Sequence, residues 1–509
     1  MTASGPARPS HPGERLADAV DARLPVYDGG GKLLRKAFPD HWSFLLGELA
    51  LYSLLVLVLS GVWLTLFFKP EMREVVYDGS YTPLRGVRMS QAFDSTLHIS
   101  FDVRGGLLIR QLHHWAALVF VSAIGLHLLR IFFTGAFRRP RELNWVIGVT
   151  LFMLALAEGF AGYSLPDDLL SGTGLRIAQG IMMSIPVVGT YIAFFVFGAQ
   201  YPGHDVIPRL YGLHVLLLPG ALIALVTLHL ILVFHLKHTQ WRGPGRTNAN
   251  AVGKPLYPQF TASSAGLSLT VFGVLAVLSG VAQINPVWVY GPYRPDQVST
   301  GSQPDSYVGF LEGSLRLVPP WETTVAGHTL MWNVLLPAVV LPALLFAVLY
   351  AYPFVEQRLT GEWLTEQHLC DRPRERPVRT GLGVAGITFY GVLLLAGGND
   401  VLAATFRISV NALTWTLRIA LIVGPVLAFV VTRALCHALL ETERGRLAEG
   451  EETGEVRQSV AGGYESGHRP VTDFRPGAPR VPLSPVDRHP GPRTGTRDRE
   501  HPGSARRSR

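Results

Sequence analysis

Cysteine and charged residues are both scarce in this sequence of 509 residues. Its only cysteines are Cys370 and Cys436, too few for a disulfide framework, and no CxxCH motif is present to attach a haem covalently. An iron–sulfur cluster held by thiolates would also lack ligands. Charged residues make up 16% of the chain, well below the roughly 25% that is usual in soluble domains. An ordinary soluble protein is therefore excluded.

Apolar residues make up 48% of the chain and cluster in blocks of about 20, long enough to cross a bilayer core as helices. Strands are excluded there, because an open sheet edge would leave unpaired backbone groups in lipid. The basic residues behind the net charge of +8 gather in short loops, which is typical of membrane topology and does not call for nucleic acid. We therefore predict an all-α transmembrane fold of eight helices. The predicted spans, lettered A to H, are Phe44–Phe68, Leu107–Phe133, Trp145–Leu165, Leu210–Leu236, Ala265–Ile284, His328–Tyr352, Leu382–Gly397 and Ala412–Cys436.

The basic loops also predict the orientation. Clusters of arginine and lysine in the B–C, D–E and F–G loops place these loops on the cytoplasmic side. A ninth apolar block, Ile181–Phe197, is interrupted by Pro186 and Gly189, and if it crossed the membrane the D–E loop would change sides. We therefore predict a surface or re-entrant helical hairpin between spans C and D on the outer face, with both termini cytoplasmic.

The two ends of the chain differ in composition from the membrane part. Residues 1–41 are polar and contain no apolar run after a basic start, which favours a cytoplasmic segment over a cleavable signal peptide. Residues 441–509 are rich in proline, glycine and arginine, which predicts a disordered cytoplasmic tail. Between them we expect a four-helix core at 42–240 and a C-terminal membrane domain, helices E to H, at 241–440.

Four histidines lie at matched depths in two spans. Span B carries His113 and His127, fourteen residues apart, so that both face one side of the helix, about 21 Å apart. Span D carries His214 and His229, fifteen residues apart, or about 22 Å and roughly 60° further round the helix. A bend at Pro219 would absorb this difference. Because B and D run in the same direction, His113 and His214 should lie near the outer face and the other two near the cytoplasmic face.

The two pairs predict two stacked macrocycles clamped between spans B and D, each iron held by two imidazoles. Such ligation leaves no open position for oxygen or substrate and suits electron transfer. One alternative is that the histidines only pack or hydrogen-bond, although ionisable groups at membrane depth are usually functional. Another is a proton-coupled transporter, which predicts broken helices and inverted repeats; the sequence offers no convincing repeat.

Glycines recur at the same interval. Span A carries Gly47 and Gly61, and span C carries Gly148 and Gly162, again fourteen residues apart in each span. The missing side chains would let flat macrocycles press against the helix backbone. Ordinary packing of membrane helices through small residues is the alternative.

Three charged residues lie close to the same levels. Arg110 precedes His113 by three residues, and Arg130 follows His127 by three, so both are candidate partners of haem propionates. Arg130 is also explained as an anchor at the cytoplasmic side of the membrane. Glu158 is unusual inside span C, where it either relays protons near the outer site or hydrogen-bonds a neighbour.

Several segments resemble the cytochrome b subunit of cytochrome bc complexes, and the likeness extends from about Trp42 to Cys436. The segments that carry it are IRQLHHWAALVFVSAIGLHLLR at Ile109–Arg130, GYSLP at Gly162–Pro166, IPVVGT at Ile185–Thr190 and GSQPDSY at Gly301–Tyr307. SLPDDLLSGTG, HLKHTQW and INPVWVYGPY are similar to the actinobacterial branch of the family.

The resemblance implies two haems b, a low-potential one on His113 and His214 and a high-potential one on His127 and His229. It implies that quinol, menaquinol in the actinobacterial branch, is oxidised at an outer site between the C–D segment and the E–F loop. One electron then leaves through a Rieske iron–sulfur subunit towards a c-type cytochrome subunit, while the other passes down the haems to reduce quinone at an inner site. The complex is expected in the bacterial cell membrane, as a dimer, with a terminal oxidase as a further partner.

The outer site of this family contains a Pro-Glu-Trp-Tyr motif, where the present sequence has Pro304, Asp305, Ser306 and Tyr307. Asp305 keeps a carboxylate that would accept a quinol proton as a general base, with Tyr307 as the second catalytic candidate. Ser306 removes a large aromatic surface, which leaves open a haem-bearing paralogue with impaired quinol oxidation. Taken alone, this tetrapeptide would be read as a turn.

The inner quinone site is expected near the cytoplasmic end of span D, where His235, Lys237 and His238 cluster. A histidine that titrates near neutral pH suits proton delivery to a reduced quinone. The alternative is a basic flank that anchors the helix at the membrane surface.

Overall fold

The computed structural model describes residues 34–198, 203–297, 303 and 305–470. Most of this part is helical. Its helices are α1 (Trp42–Thr65), α2 (Gln91–Phe101), α3 (Gly106–Thr134), α4 (Glu142–Tyr163), α5 (Leu169–Met183), α6 (Gly189–Phe197), α7 (Val206–His235), α8 (Leu256–Val281), α9 (Val287–Tyr290), α10 (Gly309–Leu317), α11 (Trp332–Thr360), α12 (Pro377–Gly397), α13 (Asn399–Phe406) and α14 (Val410–Glu449). Eight of the described helices, namely α1, α3, α4, α7, α8, α11, α12 and α14, are long and apolar enough to cross a membrane. They correspond to spans A to H, and the predicted eight-helix transmembrane fold is confirmed.

The strands are short, and all of them lie outside these eight helices. They form two-stranded antiparallel pairs, so no broad open edge has to be accommodated in lipid. The pairs are β1 (Ala37–Phe38) with β4 (Lys254–Pro255), β2 (Glu74–Val76) with β3 (Arg88–Ser90), β5 (Glu322–Val325) with β6 (His328–Met331), and β7 (Glu451–Gln458) with β8 (Tyr464–Arg469).

Six predicted span boundaries were wrong by more than a turn, namely the starts of spans D, E, F and G and the ends of spans F and H. Span F was expected to begin at His328, but His328–Met331 is strand β6, and the helix begins at Trp332. Span H was expected to end at Cys436, but α14 continues to Glu449. The added residues are mostly Leu, Glu, Arg and Ala, which favour helix even where they are too polar for lipid. Hydropathy therefore marked the apolar part of each element and not its ends.

The ambiguous block between spans C and D forms parts of two short helices, α5 and α6, as the hairpin prediction required. Pro186 lies between them, where the chain needs no helical N–H. Asp168 caps the start of α5 by accepting hydrogen bonds from the backbone N–H groups of Leu170 and Ser171. Neither helix is among the eight that are long enough to cross a membrane.

Helix α7 contains a π-helical turn at Leu213–Leu217, directly before Pro219. A π turn widens the helix and accommodates one extra residue. His214 lies in this turn, so the fifteen-residue interval to His229 acts like the fourteen-residue interval on α3. The extra residue that we expected a bend at Pro219 to absorb is thus taken up by the wide turn beside that proline.

An apolar layer separates the two histidine levels. It includes the buried side chains of Leu54 from α1, Phe120 from α3 and Ala155 from α4. Burial of such side chains is the main source of packing free energy, at about 25 cal/mol per Å² of apolar surface. Their position holds the two levels apart along the helix axes.

The chain divides into compact units between Leu440 and Glu441. The second unit begins with the end of α14 and continues into the β7–β8 pair, which is joined by a turn containing Gly462 and Gly463. The expected disorder from residue 441 therefore does not describe residues 441–470; two glycines between short extended segments are a hairpin signal. Residues 471–509 and 1–33 lie outside the described residues.

Candidate functional site

Two cavities lie among α1, α3, α4 and α7. One is lined by His113 and His214, the other by His127 and His229. We call them the outer and the inner cavity, after the predicted orientation. Their volumes are about 460 and 400 Å³, within the range of about 300–1,000 Å³ that is usual for ligand sites. A cavity thus lies at each of the two histidine levels.

The outer pair faces across its cavity with a ring-centre separation of 6.1 Å. Each ring is held from behind through Nδ1. Ser60 Oγ lies 3.0 Å from Nδ1 of His113, and the backbone carbonyl of Glu158 lies 3.2 Å from Nδ1 of His214. The Glu158 carboxylate is also within 2.9 Å of the same Nδ1. With Nδ1 engaged in this way, Nε2 is the nitrogen left for a ligand.

The inner pair has a similar geometry with fewer supports. The ring centres of His127 and His229 are 6.5 Å apart, with planes inclined at 74°. Nδ1 of His127 has no hydrogen-bond partner within the part of the chain that the structure describes, and the His229 ring is supported by the backbone of Asn144 alone. The two pairs therefore share their spacing and differ in what stands behind the rings.

These separations fit ligation of one iron by two imidazoles. Metal–imidazole bonds are about 2 Å long, so two such rings on opposite sides of one metal have their centres roughly 6 Å apart. Both observed separations, 6.1 and 6.5 Å, meet this requirement. Among the described residues no group of three or more His, Cys, Asp or Glu side chains could hold a metal ion. A haem iron needs only two side chains.

The glycines explain how the helices come so close to the rings. A Cβ on Gly162 would overlap the ring of His214, and Cβ atoms on Gly61 and Gly47 would lie 3.2 Å from Cε1 of His113 and His127. Only glycine leaves these contacts free of strain. Three of the four predicted positions therefore seat the histidines themselves.

Gly148 differs from the other three glycines. It lines the inner cavity, but an added Cβ there would meet Cδ2 of Leu128 at 3.7 Å, an ordinary contact. Its missing side chain leaves room at the cavity wall and does not seat a ligand.

Both predicted arginines line the cavities, Arg110 the outer one and Arg130 the inner one. Arg110 donates to the carbonyl of Asn285 at 3.4 and 3.5 Å, and the guanidinium of Arg130 lies 4.3 Å from the ring centre of Phe44. The Nε–H of each is buried without an acceptor within the described residues. A buried donor without a partner is costly, so each cavity offers a place for an acidic group.

Asp305 and Tyr307 both line the outer cavity. Nε2 of His114 lies 3.0 Å from Oδ1 of Asp305, and the Tyr307 hydroxyl donates to Oδ2 at 3.1 Å. Burial, and then the charge of Asp305, raise the pKa of Tyr307 well above its ordinary value, so this phenol remains a donor. Pro304 lies outside the described residues.

The end of α7 contributes differently from our expectation. Lys237 and His238 line the inner cavity, whereas His235 is not among its lining residues. Nε2 of His238 is buried without a hydrogen-bond partner in the described ranges. Burial, and then the charges of Lys36, Arg141 and Arg130, lower the pKa of His238 to about 4. His238 is therefore a neutral imidazole at neutral pH.

Comparisons with known proteins indicate the family of the chain. A family model described as cytochrome b (N-terminal)/b6/petB matches residues 118–292. The chain is 54% identical over 460 residues to the cytochrome bc1 complex cytochrome b subunit of Streptomyces coelicolor, covering 90% of this chain and 84% of that one. It is 50% identical over 482 residues to the subunit of that name from Mycobacterium tuberculosis, covering 94% and 84%.

The chain belongs to the cytochrome b subunits of cytochrome bc1 complexes. It is therefore a multi-pass membrane subunit of a bc1-type respiratory electron-transfer complex, a component of quinol:cytochrome c oxidoreductase. A solved structure titled "Hyperthermophilic respiratory Complex III" has a TM-score of 0.59 at 21% identity, over 81% of this chain and 99% of that one. At that identity the likeness concerns the fold alone.

In this cytochrome b, two contacts were not predicted from the sequence. His114 contacts Asp305, which lies in another part of the chain. The sequence leaves two roles open for Glu158, a proton relay or a hydrogen bond to a neighbour, and in the structure its carboxylate contacts Nδ1 of His214. Only the doublet His113–His114 and the rarity of a carboxylate in a span hinted at either contact.

Asp167 and Asp168 are both buried, with 6% and 0% of their surface exposed. Burial raises the pKa of Asp167 to about 7, although a hydrogen bond from Ser90 acts in the opposite direction. Asp168 is the cap of α5. Asp168 thus has a structural role at the start of that helix.

Proposed function

We propose that this cytochrome b binds one haem b in each cavity, through His113 and His214 in the outer one and through His127 and His229 in the inner one. The observation that carries the proposal is the pair of opposed imidazoles at each level, 6.1 and 6.5 Å between ring centres. Such a group supplies reversible one-electron transfer with no open coordination position. The protein's own part is to orient the imidazoles, exclude water and pair the acidic groups with Arg110 and Arg130.

Quinol, specifically menaquinol, is oxidised at the wall of the outer cavity. Asp305 is the proton acceptor, because its carboxylate lines the cavity and is oriented by the Tyr307 hydroxyl. His114 on the other oxygen is the next proton carrier, at 3.0 Å. The low-potential haem is the one at this level and the high-potential haem is the inner one.

Quinone is reduced beside the inner cavity. His238 is the better candidate than His235, because it lines the cavity and its Nε2 lacks a partner among the described residues. As a neutral imidazole it hydrogen-bonds a quinone oxygen, while Lys237 adds positive charge that favours the reduced, anionic form.

The electron that does not cross the membrane needs an acceptor outside this chain. The sequence has no CxxCH motif and only two cysteines, so a Rieske iron–sulfur subunit and a c-type cytochrome subunit are the partners. The complex is dimeric, associates with a terminal oxidase and lies in the bacterial cell membrane with both termini of this subunit in the cytoplasm.

A redox-titrated visible spectrum of the purified complex tests the haem proposal. Two b-type components are expected, of which His214→Ala removes the low-potential one and His229→Ala the high-potential one. A spectrum that keeps both components in either variant would refute the ligand assignment. Absence of any b-type band would instead favour the transporter alternative.

A paralogue with impaired quinol oxidation is the second candidate, because Ser306 stands where the family motif has tryptophan and its side chain is exposed. Rapid quinol-driven reduction of the haems, blocked by an outer-site inhibitor, would refute this candidate. Slow reduction that Ser306→Trp accelerates would support it.

A further inference from the structure

Glu158 contacts an expected axial ligand directly. Its Oε1 lies 2.9 Å from Nδ1 of His214, and both side chains are mostly buried, with 18% and 16% exposed. The other carboxylate oxygen, Oε2, is buried and has no hydrogen-bond partner within the described part of the chain. A carboxylate in this position is aimed at one group, the His214 imidazole.

The fold brings the two residues together through Gly162. Glu158 and Gly162 lie one helical turn apart on α4, and the ring of His214 packs where a side chain of residue 162 would be. The ring therefore lies on the α4 backbone, with Nδ1 towards the carbonyl and the carboxylate of Glu158. The contact follows from close helix packing and not from a flexible side chain at the surface.

The other three expected ligands have no such partner. Nδ1 of His113 faces a neutral hydroxyl, Ser60 Oγ, at 3.0 Å. Nδ1 of His127 has no partner in the described ranges, and the His229 ring meets the backbone of Asn144 and no carboxylate there. The carboxylate is thus confined to one ligand of four, in the outer cavity.

From this geometry we infer that Glu158 is a positioning residue that lowers the reduction potential of the outer haem relative to the inner one, through its hydrogen bond with His214. The inference rests on the proposed haem ligation. If Nε2 binds a haem iron, Nδ1 would keep its proton and donate a hydrogen bond to the Glu158 carboxylate. This bond increases the negative charge on the ring and so stabilises the ferric state.

The electron balance gives the sign. Reduction adds one electron to the iron, from ferric to ferrous, and neither forms nor breaks a bond. A nearby negative charge opposes that addition, and the effect is large because the cavity is apolar. The other charged lining residues also make the outer cavity the less positive of the two. The outer cavity has one cation, Arg110, and the carboxylate Asp305. The inner cavity has one carboxylate, Glu48, and three cations, namely Arg130, Arg141 and Lys237.

A lower potential at the outer level gives electron transfer between the two levels a preferred direction. Electrons pass spontaneously from the site of lower potential to the site of higher potential, hence from the outer level to the inner level. A single carboxylate on α4 thereby biases charge separation across the apolar layer.

Glu158→Gln in the intact complex tests the inference, because glutamine still accepts the Nδ1–H hydrogen bond but carries no charge. Redox titration should show that the reduction potential of the outer component rises by at least about 59 mV, which is a tenfold change in a one-electron equilibrium constant. The inner component should stay unchanged. Glu48→Gln, which removes a carboxylate from the inner cavity lining without contact to a ligand ring, is the matched control and should leave the outer potential within threefold.

An outer component that keeps its potential in Glu158→Gln would overturn the inference alone, since it would mean that the residue is uncharged or only structural. Absence of two b-type components from the unmutated complex would overturn the proposed function and this inference together. If Glu158→Gln loses the outer haem, the potential of that haem is not measurable in the variant, and the test is then a spectrum of the unmutated complex. The near-infrared charge-transfer band of its ferric outer haem should differ in energy from that of the inner haem, and equal energies would overturn the inference.

Discussion

The outer and inner cavities are built on the same four helices and present the same pair of imidazoles, yet their surroundings differ in charge. The outer cavity has two carboxylates, Glu158 and Asp305, within hydrogen-bond distance of histidines. The inner cavity is lined by three cations and Glu48, and within the described residues neither of its two histidine rings contacts a carboxylate. Helix periodicity explains the likeness of the two levels, and residues from other parts of the chain explain the difference.

Two buried aspartates outside the spans, Asp167 and Asp371, have pKa values shifted in opposite directions. On the outer side, burial raises the pKa of Asp167 to about 7. In the loop before α12, burial on its own would raise the pKa of Asp371, but the charges of Arg138, Arg376 and Arg379 lower it below its ordinary value. Asp167 accepts a hydrogen bond from Ser90, whereas Asp371 is held by ion pairs with arginines.

The largest effect is expected from Gly162→Val. The added side chain overlaps the ring of His214, so the outer level should lose its haem while the inner one stays loaded. The visible spectrum of the purified complex measures this as loss of the low-potential component. Gly148→Ala is the control, because its Cβ makes only an ordinary contact with Leu128; loss of a component in that variant would break the distinction between the two glycines.

Next in size is Arg379→Met, which removes a guanidinium with 1% exposure that donates to Glu356 at 2.8 Å and Asp371 at 2.9 Å. Leaving buried carboxylates without this partner should cost about 3–5 kcal/mol. The apparent midpoint of thermal unfolding in detergent should fall by several degrees. Arg88→Met breaks an exposed ion pair with Glu74, worth about 0–1 kcal/mol, and an equal fall there would contradict a special role for the buried cluster.

Asp305→Asn should slow quinol oxidation about a hundredfold or more, as expected when a general base is lost. The haem spectrum should be unchanged, because Asp305 contacts His114 and Tyr307 and not a ligand ring. Pre-steady-state reduction of the haems by quinol measures the rate. Asp296→Asn changes an exposed carboxylate nearby in the chain and should leave the rate intact; similar rates in both variants would remove Asp305 from the mechanism.

The smallest effect concerns pH. Asp167 has a pKa of about 7 in the folded protein, against about 3.9 in an unfolded chain. Because the folded state holds the proton more tightly, this residue lowers stability progressively as the pH rises from about 4 to about 7. Asp167→Asn should therefore raise the apparent unfolding midpoint at pH 8 and leave it unchanged near pH 4.

The exposed residue Asp78 provides the control for this prediction. Asp78→Asn should leave the pH dependence of unfolding as it is in the unmutated protein. A midpoint of Asp167→Asn that falls at pH 8 would show that the buried carboxylate is stabilising in its ionised form.

Much of the candidate site was predictable because helices repeat. Residues fourteen apart face one side of a helix, so His113 with His127, and Gly47 with Gly61, fall at two levels without any knowledge of the neighbours. The interval between His214 and His229 is one residue longer than the interval of fourteen on α3. The π turn that accommodates this extra residue could not be predicted from the sequence.

Contacts between distant parts of the chain could not be predicted in the same way. His114 meets Asp305 across 191 positions, and the choice of His238 over His235 as a lining residue depends on how the chain leaves α7. Neither contact has a periodic signature.

The sequence by itself determined the eight membrane helices and the two levels of histidine, since apolar length and helical period are local properties. Only the tertiary structure decided which side chain stands behind each imidazole, because a hydrogen bond depends on the approach of separate helices. Glu158 is the example, since its place on α4 was plain from the sequence, and its contact with His214 exists only because Gly162 lets the two helices touch.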